Sequence, residues 1–208
     1  MRAVGVLVSG AGTNLQALLD AERAGHLAPG HVACVISSRA GVAALDRARA
    51  HDCPATVIDP NTYATRAAFE DELIAELDRH GVEVVVLAGF MRVLTPHFLL
   101  RYPARVLNVH PSLLPAFPGL KAHEQALAHG VKVAGATVHL VEPDVDTGAI
   151  VLQGTVSVEP GDDAASLLAR IHEVEHQLLP RAVSLLCAGR LLLDGRRVTI
   201  KDQGAASR

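Results

Sequence analysis

Short runs of Val, Leu and Ile alternate along the whole chain with segments that are apolar on one helical face only. That alternation restricts the chain to βαβ units around a mostly parallel sheet, because neighbouring parallel strands need a crossover connection and a helix is the usual one. Strands are read at Arg2 to Val8, His31 to Ile36, Ala55 to Ile58, Val82 to Ala88, Arg105 to His110, Lys132 to Val141 and Ile150 to Val158. Helices are read at Thr13 to Ala24, Val42 to His51, Thr65 to His80 and His123 to Ala128. A short helix is expected at Pro96, capped by Thr95. A last long helix begins at Asp162 or Asp163, and Pro180, which lacks an N–H, should kink or interrupt it. Leu191 to Leu193 and Arg197 to Ile200 fit a small hairpin around Asp194-Gly195. The most hydrophobic run, Val82 to Ala88, is expected at the centre of the sheet. Only 3% of residues are aromatic, so the core must be aliphatic, as suits strands buried on both faces. The expected class is α/β and Rossmann-like: a mostly parallel central sheet, helices on both faces, and an antiparallel extension near the C-terminus. A chain of 208 residues suits one domain, 1–208.

Bulk properties speak against nucleic acid and membrane as partners. A formal net charge of −3, with no block of like charges, offers nucleic acid no general attraction. No apolar run approaches the roughly 20 residues of a membrane span. Met1 leads directly into a strand, without the charged and apolar regions of an export signal. Cys34, Cys53 and Cys187 are far apart and read as buried, reduced thiols, so the expected location is cytoplasmic.

Asn108-Val109-His110-Pro111 carries the first chemistry. Residues two apart on a strand share a face, so Asn108 and His110 project together. Pro111 ends the ladder because it cannot donate to it. The pair therefore stands at the carboxyl end of a strand, where open α/β sheets bind ligands. His110 can move a proton near neutral pH, and Asn108 can donate a fixed hydrogen bond to a developing oxyanion. An isolated Asn-x-His pair more often ties a loop to the core.

Ser9-Gly10-Ala11-Gly12-Thr13-Asn14 joins the first strand to the first helix. A helix N-terminus behind glycines favours an anion. The third glycine of a dinucleotide fingerprint would fall on Leu15, and the Gly-Lys-Ser/Thr ending of a P-loop is absent. Ser37-Ser38-Arg39 offers no acidic group for an NAD ribose. Two readings stay open here: a monophosphate cradle, or an ordinary tight turn capped by Thr13. Asp146 lies in the loop Asp144-Val145-Asp146-Thr147-Gly148. Such aspartates are usually solvated; the alternative is that Asp146 faces His110 and orients it. His172-Glu173-Val174-Glu175-His176 matches the zinc-protease pattern, but no His or Glu follows His176 to complete a metal site.

Taken in order, these segments resemble the folate-dependent phosphoribosylglycinamide formyltransferase family. The resemblance runs over nearly the whole chain. It covers residues 9–17, Val85-Val86-Leu87-Ala88-Gly89-Phe90-Met91-Arg92, Asn108 to Pro115, Pro118-Gly119-Leu120, Thr137-Val138-His139, Asp146-x-Gly148 and Glu175-His176. Thr147 and Ala149 depart from the Gly and Pro often seen there, and Glu142-Pro143 would stiffen the same loop.

The resemblance implies a Rossmann-like formyltransferase fold and one-step transfer of formyl from 10-formyltetrahydrofolate, with no metal. Residues 1–100 would form the phosphate-binding half; residues 101–208 would form the catalytic and folate-side half. Asn108, His110 and Asp146 would be catalytic. Gly12, Thr13, Asn14 and Glu175 would hold the ribonucleotide. Arg66, Met91, Arg92, Val93, Leu94, Asn108, Val141, Glu142, Pro143, Asp144, Val145 and Asp146 would hold the folate. A homodimer stays open. A transfer-RNA formyltransferase would add a C-terminal domain, and a formyltetrahydrofolate hydrolase an N-terminal one.

Overall fold

The computed structural model describes residues 1–202. Seven strands form one sheet: β1 (Arg2–Val8), β2 (Gly30–Ser37), β3 (Ala55–Val57), β4 (Val84–Leu87), β5 (Val106–His110), β6 (Val133–Leu140) and β7 (Ile150–Ser157). Their spatial order is β3-β2-β1-β4-β5-β6-β7. The pairs from β3 through β5 are parallel, while β6 and β7 join antiparallel. The apolar run at β4 is the middle strand, as its hydrophobicity requires. Among the described residues six α-helices cover the sheet: α1 (Thr13–Arg23), α2 (Ala43–Arg49), α3 (Arg66–Arg79), α4 (Pro96–Arg101), α5 (Ala122–Ala128) and α6 (Ala164–Cys187). The short strands β8 (Leu191–Asp194) and β9 (Arg197–Ile200) form the terminal hairpin.

The period of two along β1 sorts its side chains between two cores. Val4, Val6 and Val8 pack with Leu15 and Leu18 of α1, Ala44 of α2, and Leu179 and Val183 of α6. Leu7 packs on the other face with Phe69, Leu73 and Leu77 of α3 and Phe98 of α4. Each fully buried Leu contributes about 1.5–3 kcal/mol.

Three local expectations need correction. Pro180 does not interrupt α6, which runs through it for 24 residues. Pro180 is buried with Leu179, Ala182 and Val183, and that packing outweighs one missing helix bond. Asp163 caps the same helix reciprocally with Ser166. Thr95 occupies the N-cap of α4 without capping it, because its hydroxyl turns to Glu70 instead. Thr13 is the first residue of α1, and the N-cap is Gly12, at a left-handed φ of 73°.

Gly12 is therefore required by the backbone before any ligand is considered. A Cβ there would lie 2.6 Å from Ala44 Cβ and 2.8 Å from Ala44 Cα, so α2 would have to move. Gly12→Val should destabilise the fold by at least the roughly 1–3 kcal/mol of a strained left-handed residue, read from the urea midpoint. A parental midpoint would contradict this. Gly10, where a Cβ would meet nothing within 4 Å, is the sounder position for testing ligand access to this turn.

Candidate active site

Strands β1, β4 and β5 are adjacent and parallel, so their carboxyl ends open onto one edge of the sheet. Three connections meet there: the glycine turn after β1, the segment 88–95 after β4, and Asn108–Pro111 at the end of β5. Chain order reverses at β1, whose neighbours are β2 and β4, and ligand crevices of open α/β sheets form at such a point.

Asn108 and His110 do share a face. The register of β5 against β6 sets Asn108 opposite His139 and His110 opposite Thr137. That pairing brings in His139, which was not singled out as a site residue; the alternation Thr137-Val138-His139 on a strand was its signal. His139 Nδ1–H donates to Leu140 O (2.8 Å), which leaves Nε2 to accept from Asn108 Nδ2 (3.1 Å). One N–H of the Asn108 amide remains free for a ligand. Thr137 Oγ1 donates to Ser112 O (2.7 Å) and accepts from Leu114 N–H (3.1 Å), fixing the Pro-Ser-Leu-Leu-Pro segment beside His110.

Asp146 does not sit on a solvated loop. Its side chain is only 9% exposed, and Oδ2 stands 3.3 Å from His110 Nδ1. Oδ2 also accepts from Gly119 N–H (2.8 Å), and Oδ1 lies 3.6 Å from His139 Nε2. Burial pushes the Asp146 carboxyl upward. The contact with His139, the Gly119 N–H and the nearby charge on His110 outweigh that and hold it below its ordinary value. His110 Nε2–H donates to Phe117 O (2.9 Å). Both ring nitrogens thus face oxygens, Asp146 Oδ2 at Nδ1 and Phe117 O at Nε2.

The loop geometry behind Asp146 is tight. Asp146 itself has φ 55°, a strained value for a non-glycine residue. A Cβ on Gly148 would lie 1.7 Å from Leu140 O, so only glycine lets the loop close on β6. Glu142, Pro143, Asp144 and Val145 are exposed along its outer rim, with Val141 half-buried.

The glycine turn connects to α6. Asn14 Nδ2 donates to Glu175 Oε2 (2.7 Å), and both residues are buried. Asn14 Oδ1 has no hydrogen-bond partner among the described residues, so an acceptor there awaits a donor. Arg47 of α2, which the sequence reading missed, donates through Nε to Ala11 O (2.9 Å) and adds positive charge beside the turn. Burial pushes the Glu175 carboxyl up to about 7, against the lowering effect of Asn14. His172 and His176 stack with ring centroids 6.2 Å apart. Among the described residues no group of three or more His, Cys, Asp or Glu side chains is placed to hold a metal.

A raised carboxyl value has a sign. The folded state holds the proton of Glu175 more tightly than the unfolded state, so its contribution is complete below 4.5 and is lost as pH rises to about 7. Glu175→Gln removes this titration. The melting temperature of the variant should therefore gain on the parent across that window and level off above it; parallel profiles would contradict the assignment.

Met91, Arg92 and Val93 are exposed at the crevice, whereas Leu94 is buried beside Phe90 and Phe98 in the core. The Arg66 guanidinium donates to Val93 O, so Arg66 braces this segment as well as bordering it.

The model of the family described as formyl transferase matches residues 1–183. Phosphoribosylglycinamide formyltransferase of Escherichia coli (strain K12) is 41% identical, with 97% of each chain covered. The crystal structure of glycinamide ribonucleotide transformylase 1 from Symbiobacterium toebii superimposes with a TM-score of 0.95 at 51% identity, covering 97% of this chain and 95% of that one. Trifunctional purine biosynthetic protein adenosine-3 of Chironomus tentans is 44% identical over 93% of this chain, which spans 14% of the length of that protein. The chain belongs to the formyl transferase family.

Proposed function

We propose that this chain transfers the formyl group of 10-formyltetrahydrofolate to the amine of N1-(5-phospho-D-ribosyl)glycinamide, yielding formylglycinamide ribonucleotide and tetrahydrofolate in purine biosynthesis. The observation that carries the reading is the convergence of Asn108, His110 and Asp146 at the carboxyl edge of the sheet, with the single strand β4 between β5 and the strand that leads into an anion-ready helix terminus.

The residues suit direct transfer. When the amine attacks the formyl carbon, the carbonyl oxygen gains negative charge. Asn108 offers its free amide N–H, and the doubly protonated His110 offers a charged one. A reacting oxygen at His110 Nε2 takes the place that Phe117 O now holds. Asp146, fixed by Gly119, keeps the imidazole oriented and helps move the proton shed by the attacking nitrogen, through water, to the folate nitrogen; the bond from the formyl carbon to that nitrogen breaks as the oxyanion collapses, and tetrahydrofolate leaves. The donor is already activated, so no Ser or Cys nucleophile is needed.

At the other end, the N–H groups at Gly12, Thr13 and Asn14 face the phosphate, supported by the α1 dipole and Arg47. Glu175, near 7, suits the ribonucleotide amine or hydroxyls beside Asn14. Arg66, Met91 to Leu94 and Val141 to Asp146 take the folate. We read residues 1–208 as one catalytic domain whose halves, 1–100 and 101–208, meet in the Asn14–Glu175 bond. The reaction calls on small molecules alone, in the cytoplasm. Sedimentation distinguishes a monomer from a homodimer.

The decisive experiment is turnover with both substrates, following formylated ribonucleotide and tetrahydrofolate together. Equal appearance of the two supports the reading. Folate release without formylated ribonucleotide would make the chain a hydrolase; binding without turnover would make it a nucleotide-binding protein.

A further inference from the structure

The segment after β4 exposes three side chains, Met91, Arg92 and Val93, yet it is pinned at several points. Met91 N–H donates to the Ser9 hydroxyl (3.0 Å). Val93 O accepts from Arg66. Thr95 gives both its N–H (2.8 Å, to Oε1) and its hydroxyl (to Oε2) to the carboxylate of Glu70.

Glu70 lies on α3 and is fully buried. Arg66 Nε, one helical turn earlier, stands 3.9 Å from Oε1. A buried carboxylate is costly unless its lone pairs are filled, and α3 already packs through Phe69, Leu73 and Leu77. Packing alone therefore gives no reason for an acid here. What the carboxylate does is hold two donors of Thr95 and the guanidinium that grips Val93. The segment it fixes carries Met91 at 58% and Val93 at 47% exposure, large apolar surfaces on a rigid backbone. Such surfaces mark contact sites, and a preformed one spares a ligand the entropy of ordering it.

We propose that Glu70 is a positioning residue for the folate side of the site: it clamps the end of the Met91–Leu94 segment through Thr95 and aligns Arg66 against Val93, so that the exposed face of the segment is preformed for the ring system of the formyl donor. The proposal rests on assigning this segment to the folate.

The test is steady-state kinetics of Glu70→Gln and Thr95→Val beside the parent. Glutamine keeps the shape of Glu70 but removes its charge: Arg66 loses its counter-charge, and the Thr95 hydroxyl must turn from donating to a carboxylate to accepting from a neutral amide. The KM for 10-formyltetrahydrofolate should rise about tenfold, the worth of one hydrogen bond to a charged group. The KM for the ribonucleotide and kcat should stay within about twofold, as expected for lost binding rather than lost chemistry. Thr95→Val keeps the backbone donor and should shift the folate KM the same way by about threefold. If Glu70→Gln does not fold, Thr95→Val decides. An unchanged folate KM, or a fall in kcat alone, would overturn the proposal and leave Glu70 a structural residue. Should the parent itself not turn over the substrates, the functional reading fails instead. Amide exchange at Thr95 then tests the clamp, with faster exchange expected in Glu70→Gln and unchanged exchange counting against it.

Discussion

Replacing His110 by Ala is expected to lower turnover by about 10²–10⁴-fold, the loss associated with removing one positioned proton donor. The ring is 5% exposed and held from both sides, by Asp146 at Nδ1 and Phe117 O at Nε2, so it has little freedom to be replaced by another group. Asn108 would remain, anchored by His139, and would keep part of the oxyanion stabilisation. Ribonucleotide affinity should stay near parental, because the glycine turn and the Asn14–Glu175 bond belong to β1, α1 and α6 rather than to β5. Rapid-quench single turnover measures the chemical step, and calorimetry with the ribonucleotide supplies the control. Near-parental single turnover would remove His110 from the mechanism. Loss of ribonucleotide affinity in parallel would instead mean that the two ends of the crevice are mechanically joined.

The sequence disclosed those features that depend on local periodicity. Period-two and period-3.6 patterns placed the seven sheet strands and the helices, and the hydrophobicity of β4 indicated its central position, because burial on both faces leaves no room for a polar residue. Asn108 and His110 were legible for the same reason: two residues apart on a strand is a local relation. Contacts between distant segments were not. His139 becomes part of the site only through the β5–β6 register, Arg47 only through the approach of α2 to the glycine turn, and Glu70 only through the return of Thr95 over α3. Thr95 was expected as a side-chain cap, and a Thr13 cap was one of two readings left open, because capping residues are judged from one dimension. Gly12 supplies the left-handed turn before Thr13, and a buried carboxylate captures the Thr95 hydroxyl. Asp146 shows the limit most clearly. Its neighbours in sequence are those of a surface turn, yet its partners, His110, Gly119 and His139, come from three other segments.

Asp146→Asn tests that convergence. Asparagine keeps the size of Asp146 and one acceptor, which can still receive Gly119 N–H. It loses the negative charge that faces His110 at 3.3 Å. It also places an amide N–H against a neighbouring histidine ring, where an acceptor stood. Turnover should fall by about 10²-fold or more, since the charged donor on His110 loses its counter-charge and the proton its acceptor. Stability should fall as well, because this carboxylate is not a solvated loop group. The pH dependence gives the sign independently. The folded value of the Asp146 carboxyl is lowered from 3.8, so the native state binds its proton less readily than the unfolded state. Its stabilising contribution is present above 3.8 and is lost as pH falls through the lower folded value. The gap in urea midpoint between parent and variant should therefore be widest near neutral pH and should close in acid below 3.8. A variant with parental turnover, or a gap that stays constant into acid, would show that the carboxylate does not pair with His110.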